Sequence, residues 1–131
     1  MCWTGDSRRS DDLARLRREV VAYLRLHGGP REDYAAAELI AGELLSNAGR
    51  YSPGPVSVEI GWAQACARIS VRDSGRGFAW EPVLPREDSE SGRGLFIVSQ
   101  LGSEVVVECD RTGCCVSATL PVRRSDAKQS L

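Results

Sequence analysis

The chain has 131 residues, of which 42% are hydrophobic and 27% charged, with 17 basic residues against 18 acidic ones. This length and composition are those of one globular domain, and they exclude a wholly disordered chain and a multidomain protein. The balanced charge gives no sign of a nucleic-acid partner or an anionic membrane. No apolar run reaches the roughly 20 residues of a spanning helix, and no signal-peptide core is seen. We therefore expect a cytoplasmic protein.

The cysteines number five, and the sequence contains a single histidine. They are Cys2, Cys66, Cys109, Cys114 and Cys115. None forms a CxxC pair, and the spacing of these residues does not suit a zinc site. We expect reduced thiols with neither a disulfide nor a metal role.

The N-terminal segment, residues 1–9, is polar and expected to be loose, with a short edge strand at residues 1–4 as the alternative. A first helix is predicted from Ser10, because Ser10 or Asp11 can cap it and apolar residues follow at helical spacing. It ends at His27, before a Gly-Gly-Pro turn. We expect His27 to be exposed there, since a cation suits a helix C-terminus.

A second helix is predicted over residues 31–49, with Pro30 as its entry residue. It is apolar nearly all round, which is typical of a helix buried on several sides. Glu43 and Asn47 nevertheless lie within it, four residues apart and hence on one face. Glu43 is either a structurally satisfied carboxylate or a general base, and in the second case Asn47 is an oxygen ligand for Mg²⁺.

The rest of the chain alternates between strands and glycine-rich segments. Four strands are predicted from apolar alternation, at residues 56–62, 65–73, 105–109 and 114–120. Between them we expect a lid-like loop over residues 79–91 and a short helix over residues 92–101. Paired helices and antiparallel strands predict an α+β fold with two layers, residues 10–121, followed by a flexible tail, residues 122–131.

Three glycine-containing segments are candidate ligand sites. In the first, Asp73 ends a strand and can accept a hydrogen bond from an amine, while Gly75 and Gly77 permit close approach of a flat ring. In the second, Gly92-Arg93-Gly94-Leu95 opens a helix, whose N–H groups bind phosphate. The third is Thr112-Gly113-Cys114. Each segment by itself is also consistent with an ordinary turn or helix entry.

Taken in order, these motifs resemble the GHKL, or Bergerat-fold, ATPase superfamily of gyrase, MutL and histidine kinases. The resemblance covers about residues 10–121 and is greatest to stand-alone bacterial anti-sigma-factor serine kinases. The N box looks like residues 43–48, the G1 box like 73–78 and the G2 box like 92–95. It implies a two-layer α/β sandwich, with a mixed, mostly antiparallel sheet covered by helices on one face.

The resemblance also implies roles for individual residues. Glu43 would activate the attacking hydroxyl, Asn47 would hold Mg²⁺, and Asp73 would bind adenine. Residues 79–91 would form the ATP lid. The nucleotide-binding residues would be Asn47, Tyr51, Asp73, Gly75, Gly77, Phe78, Gly92, Arg93, Gly94, Leu95 and Cys114.

The chain departs from the family pattern at two of these positions. Tyr51 stands where the family often has histidine, and Cys114 stands where it often has threonine. A thiol forms weaker hydrogen bonds than a hydroxyl, so the water-mediated adenine contact expected there would be weakened. A dimerisation helix with a phosphoacceptor histidine is missing as well, so we expect at most the ATP-binding half of a histidine kinase.

Three functional hypotheses follow. The first is an Mg-ATP-dependent serine/threonine kinase that acts on an anti-sigma-factor antagonist protein and also binds a sigma factor. The second is a catalytically weak or inactive ATP-binding module that sequesters a sigma factor or another regulator. The third is a plain α+β domain in which the motifs are coincidental. The resemblance also allows a homodimer, whereas direct nucleic-acid or membrane binding is not expected.

Overall fold

The computed structural model describes residues 1–73 and 104–125. Their elements, in chain order, are β1 (Cys2–Asp6), α1 (Asp12–His27), α2 (Tyr34–Tyr51), β2 (Pro55–Ala63), β3 (Cys66–Asp73), β4 (Val105–Asp110) and β5 (Gly113–Arg123). The predicted lid at residues 79–91 and helix at residues 92–101 lie outside this part of the chain.

The strands form one sheet in the order β1-β2-β3-β5-β4, and each adjacent pair is antiparallel. Helix α2 packs against β3 and β5, and α1 packs against β1 and α2. The predicted α+β fold with an antiparallel sheet is confirmed. Across the described residues the sheet has no parallel pairing, so the expectation of a mixed sheet is not met there.

The core lies between the two helices and one face of the sheet. Alternation along β2 and β3 and helical spacing along α1 and α2 direct apolar side chains into this layer. The largest buried side chains are Leu16, Val20, Leu24, Ile40, Leu44, Leu45, Val58, Ile60, Ile69, Val71 and Leu120. Since this layer joins α2 to β3 and β5, it also fixes the positions of the site residues on those elements.

The N-terminal segment contains strand β1 at the edge of the sheet, which confirms the alternative of a short edge strand at residues 1–4 and not a loose segment over residues 1–9. Trp3 pairs with Val58 in the register of β1 and β2. Ser7 then forms backbone and side-chain hydrogen bonds with Gly54, over 2.8 to 3.2 Å. The free edge of β2 supplies the backbone partners, which is why a polar segment becomes ordered here.

Helix α1 begins at Asp12, directly after Asp11, which was one of the two residues expected to cap it, although the Asp11 side chain makes no capping hydrogen bond. Helix α2 begins at Tyr34 rather than at residue 31, because the Asp33 side chain accepts a hydrogen bond from the Ala36 N–H at 3.0 Å. An acidic N-cap therefore decides the start of α2, and Pro30 lies in the preceding turn.

Helix α2 is also less buried than its composition predicts. The residues that it presents to solvent are Ala35, Glu38, Leu39, Ser46 and Arg50. Alanine fits either environment, so an alanine-rich helix does not specify burial on all sides. His27, expected to be exposed at the end of α1, is instead half-buried, with its ring 4.4 Å from that of Tyr23.

Two cysteines, expected to be thiols, form a disulfide between Cys109 and Cys114. They are cross-strand partners in β4 and β5, with Cα atoms 4.0 Å apart. The other cysteines, Cys2, Cys66 and Cys115, are free thiols. Strand β5 also continues to Arg123 and buries Val122, so the predicted tail at residues 122–131 begins too early.

Within residues 1–73 and 104–125, no helix is long and apolar enough to cross a membrane.

Candidate functional site

Helix α2 carries Glu43 and Asn47 on one face, one helical turn apart. Glu43 is half-buried, whereas only 4% of Asn47 is exposed. Among the described residues, neither the Nδ2 nor the Oδ1 atom of Asn47 has a hydrogen-bond partner. A buried polar group without a partner costs about 1–3 kcal/mol. A buried amide with no partner in this part of the chain is a candidate for binding a ligand.

Asp73 is the last residue of β3 and is 8% exposed. Its Oδ1 atom accepts a hydrogen bond from the backbone N–H of Cys114 at 3.2 Å. Cys114 follows Gly113, which begins β5 with a φ of 146°. Only glycine adopts this conformation readily, so the turn between β4 and β5 depends on it. The turn thereby sets the position of the N–H group that contacts Asp73.

A cavity of about 10 Å³ brings Asn47, Asp73 and Cys114 together. It lies between α2, β3 and β5, and its apolar lining consists of Leu44, Ala48, Val71 and Val116. This volume holds about one water molecule. It is too small for a nucleotide, so the described residues supply at most one wall of the expected site.

The remaining predicted site residues are distributed as follows. Glu43 is not among the residues that line the cavity, and Tyr51 is the last residue of α2. The residues that lie outside the described part of the chain are Gly75, Gly77, Phe78, Gly92, Arg93, Gly94 and Leu95. The structure therefore brings together three of the predicted residues, one from each of α2, β3 and β5.

Sequence reasoning missed the apolar lining of the cavity and the bond from Cys114 to Cys109. A signal for the lining was present, because Leu44 lies three helix positions before Asn47 and four before Ala48, and Val71 precedes Asp73 by two strand positions. For the disulfide a signal was also present, because Cys109 ends one predicted strand and Cys114 begins the next, and the register between β4 and β5 then places them opposite each other.

The chemistry of this wall fits a magnesium nucleotide. The Asn47 side chain offers an amide oxygen, which is a hard ligand suited to Mg²⁺. The Asp73 carboxylate can accept a hydrogen bond from an exocyclic amine. Among the described residues, no three His, Cys, Asp or Glu side chains form a cluster that could hold a metal ion. A metal at Asn47 would therefore take other ligands, such as phosphate oxygens and water.

Comparison with known proteins gives one family match. The family described as "Histidine kinase-like ATPase domain" matches residues 7–120. No curated protein matches the chain significantly.

Solved structures with a similar fold include several histidine kinases. The histidine kinase domain of the Erythrobacter litoralis EL346 blue-light activated kinase is 21% identical, with a TM-score of 0.57 over 84% of this chain and 61% of that one. The catalytic domain of ThkA is 16% identical, with a TM-score of 0.56 over 98% and 99% of the two chains. Full-length ShkA, solved with AMPPNP, is 22% identical, with a TM-score of 0.59, and the match covers 86% of this chain and 30% of ShkA. The chain thus spans less than two thirds of the Erythrobacter domain and of ShkA, and the likeness to all three is one of fold.

Proposed function

The chain belongs to the histidine kinase-like ATPase domain family, and on this premise we propose that it binds Mg-ATP and phosphorylates a serine or threonine of a small partner protein. The proposed partner is an anti-sigma-factor antagonist, and a sigma factor is the second protein that the chain binds. The observation that carries the proposal is the buried Asn47 amide, which lies in one wall with Asp73 and has no partner among the described residues. A homodimer is part of the same proposal.

Asn47 would hold the metal through its amide oxygen. The amide is fixed by its place on α2, between Leu44 and Ala48 in the cavity lining. Because the surrounding lining is apolar, a bound ion would find few competing protein ligands there. When bound, Mg²⁺ supplies positive charge to the phosphate oxygens, which is a main requirement of phosphoryl transfer.

Asp73 would recognise the adenine amine. The Cys114 N–H occupies the Asp73 Oδ1 atom, which orients the carboxylate relative to the cavity. Burial of this carboxylate at 8% exposure strengthens any hydrogen bond that it accepts. Asp73 and Asn47 would thus bind opposite ends of one nucleotide, the base and the phosphates.

Glu43 would accept the proton of the attacking hydroxyl. Its position one turn before Asn47 lies on the same helix face as the proposed metal ligand. It is half-buried and therefore accessible to a second substrate.

Calorimetric titration with ATP, with and without Mg²⁺, tests the nucleotide site. We expect the wild type to bind ATP saturably and more tightly with Mg²⁺. Asp73→Asn should abolish this binding, and Asn47→Ala should remove its dependence on Mg²⁺. The control is Ser46→Ala, since Ser46 is exposed on the same helix. Absence of wild-type binding up to millimolar nucleotide would overturn the proposal.

The acceptor residue is tested separately, because the structural relatives are histidine kinases. The candidate partner is incubated with protein and radiolabelled ATP, and the product is then treated with acid. Phosphoserine and phosphothreonine are stable in acid, whereas the P–N bond of phosphohistidine is hydrolysed. Acid-stable label supports the proposed specificity, and acid-labile label contradicts it.

A second candidate function is an ATP-binding module with little or no catalysis, which sequesters a sigma factor or another regulator. The observation in its favour is Cys114, whose sulfur, bonded to Cys109, is a poorer hydrogen-bonding group than the hydroxyl expected at this position. The water-mediated base contact expected at this position would then be weakened. Sigma-factor binding that requires ATP, without phosphorylation of any partner, would favour this module over the kinase.

A further inference from the structure

The Cys109–Cys114 disulfide lies at the wall of the candidate nucleotide site. Cys114 is 6% exposed and lines the same cavity as Asn47 and Asp73. Cys109, on the neighbouring strand, is exposed to solvent. One sulfur of the bond is therefore buried beside the cavity, and the other belongs to a residue that solvent reaches.

The disulfide is also linked to the carboxylate that would bind the base. Cys109 and Cys114 form the second pair of the β4–β5 ladder, directly after Asp110 and Gly113 at the turn. The Cys114 N–H donates to Asp73 at 3.2 Å. The covalent bond thus holds the end of this hairpin where it contacts Asp73.

We propose that the Cys109–Cys114 disulfide controls nucleotide affinity, with tighter ATP binding in the disulfide form than in the dithiol form. The proposal rests on the proposed function of Asp73 as the residue that recognises adenine. In the disulfide form, the Cys114 N–H and the Asp73 carboxylate are held in place before the ligand arrives. In the dithiol form the ends of β4 and β5 can move apart at the turn, so nucleotide binding must first order this end of the hairpin.

The switching reaction is thiol–disulfide exchange with a dithiol reductant. A thiolate of the reductant attacks the sulfur of exposed Cys109, the S–S bond breaks, and Cys114 leaves as a thiolate that takes up a proton. The second thiol of the reductant then displaces Cys109 from the mixed disulfide. Two electrons pass from the dithiol, which becomes a cyclic or protein disulfide, to the cysteine pair. The reverse reaction requires a disulfide oxidant such as oxidised glutathione.

The other cysteines offer a matched control. Cys115 neighbours Cys114, but successive strand residues point to opposite faces, and its sulfur lies 3.9 Å from the Ser117 hydroxyl. Cys115 does not line the cavity. Cys115→Ser should therefore leave the redox response intact, whereas Cys109→Ser should remove it.

The experiment measures the ATP dissociation constant by calorimetry, with Mg²⁺, after treatment with oxidised glutathione or with dithiothreitol. Alkylation and peptide mapping verify the Cys109–Cys114 bond in the first sample and its loss in the second. We expect reduction to weaken binding by the wild type and by Cys115→Ser at least fivefold. The Cys109→Ser variant should bind with the affinity of the reduced wild type under both conditions.

Equal affinity of the oxidised and reduced wild type would overturn the proposal while leaving the nucleotide site established. A response that persists in Cys109→Ser would likewise overturn it, because another cysteine would then be responsible. Absence of ATP binding in both redox states would overturn the proposed function and this inference with it.

Discussion

The backbone N–H of Cys114 donates a hydrogen bond to the Asp73 carboxylate over 3.2 Å, although the two residues are 41 positions apart in sequence. Both are largely buried, and both line the cavity that contains the Asn47 amide. The orientation of the carboxylate is therefore set by β5 and its turn as well as by its own strand. This connects the β4–β5 hairpin to the chemistry expected at the end of β3.

Replacing Asn47 by leucine should separate stability from function. Leucine has nearly the same shape and removes an amide that has no hydrogen-bond partner within residues 1–73 and 104–125, so we expect the unfolding free energy of nucleotide-free protein to rise by about 1 kcal/mol. Mg²⁺-dependent ATP binding should be lost. Urea unfolding and calorimetry measure the two effects, with Ser46→Ala as the control. A strong destabilisation by Asn47→Leu would show that the amide is satisfied in the folded protein.

Glu43→Gln should abolish transfer to the partner while ATP binding is retained. Glutamine preserves the size of the side chain but cannot accept the hydroxyl proton, and loss of a general base costs roughly 10²–10⁴-fold in rate. The measurement is the single-turnover rate of partner phosphorylation. Glu38→Gln is the matched control, since Glu38 is exposed on the same helix. Equal rates for Glu43→Gln and wild type would exclude Glu43 as the base.

Reduction of the disulfide should lower stability even without nucleotide. The bond closes a loop between residues only 5 positions apart, and for so short a loop the chain-entropy model gives roughly 2 kcal/mol. Urea unfolding with and without dithiothreitol measures the loss. In Cys109→Ser the two curves should coincide. Coincident curves for the oxidised and reduced wild type would contradict the expected stabilisation.

Stability should also fall at acidic pH through Asp6. The hydrogen bonds and charge of Arg8 lower the pKa of the Asp6 carboxyl from 3.8 to about 2. Because the pKa in the folded state lies below that in the unfolded chain, the stabilisation is present above pH 3.8 and lost as pH falls through about 2. This contribution to the free energy of unfolding is small, since the side chains of Asp6 and Arg8 are both accessible to solvent.

NMR titration of the Asp6 side chain checks this prediction directly. The midpoint should lie near 2 in the wild type and move towards the ordinary value in Arg8→Ala. A wild-type midpoint at the ordinary value would show that the Arg8 contact, 2.6 Å at its shortest, does not persist in solution.

Much of this protein follows from local sequence patterns. Alternation at Val56, Val58 and Ile60 correctly predicted β2, and the spacing of four residues placed Glu43 and Asn47 on one helix face. The order of the motifs along the chain predicted the ATPase superfamily, which the family match confirms. These features can be predicted from the sequence because helical and strand periodicity, and the side chains that a ligand requires, occur among residues that are close together in the chain.

The tertiary structure decided the features that depend on contacts between distant segments. The pairing of β1 with β2 ordered a polar N-terminus, and the register of β4 and β5 brought Cys109 and Cys114 into one disulfide. The contact between Cys114 and Asp73 likewise arises only when β5 lies beside β3. Local periodicity fixes which face a side chain occupies, but a partner on another strand is fixed by register. Register is determined by the packing of the whole sheet.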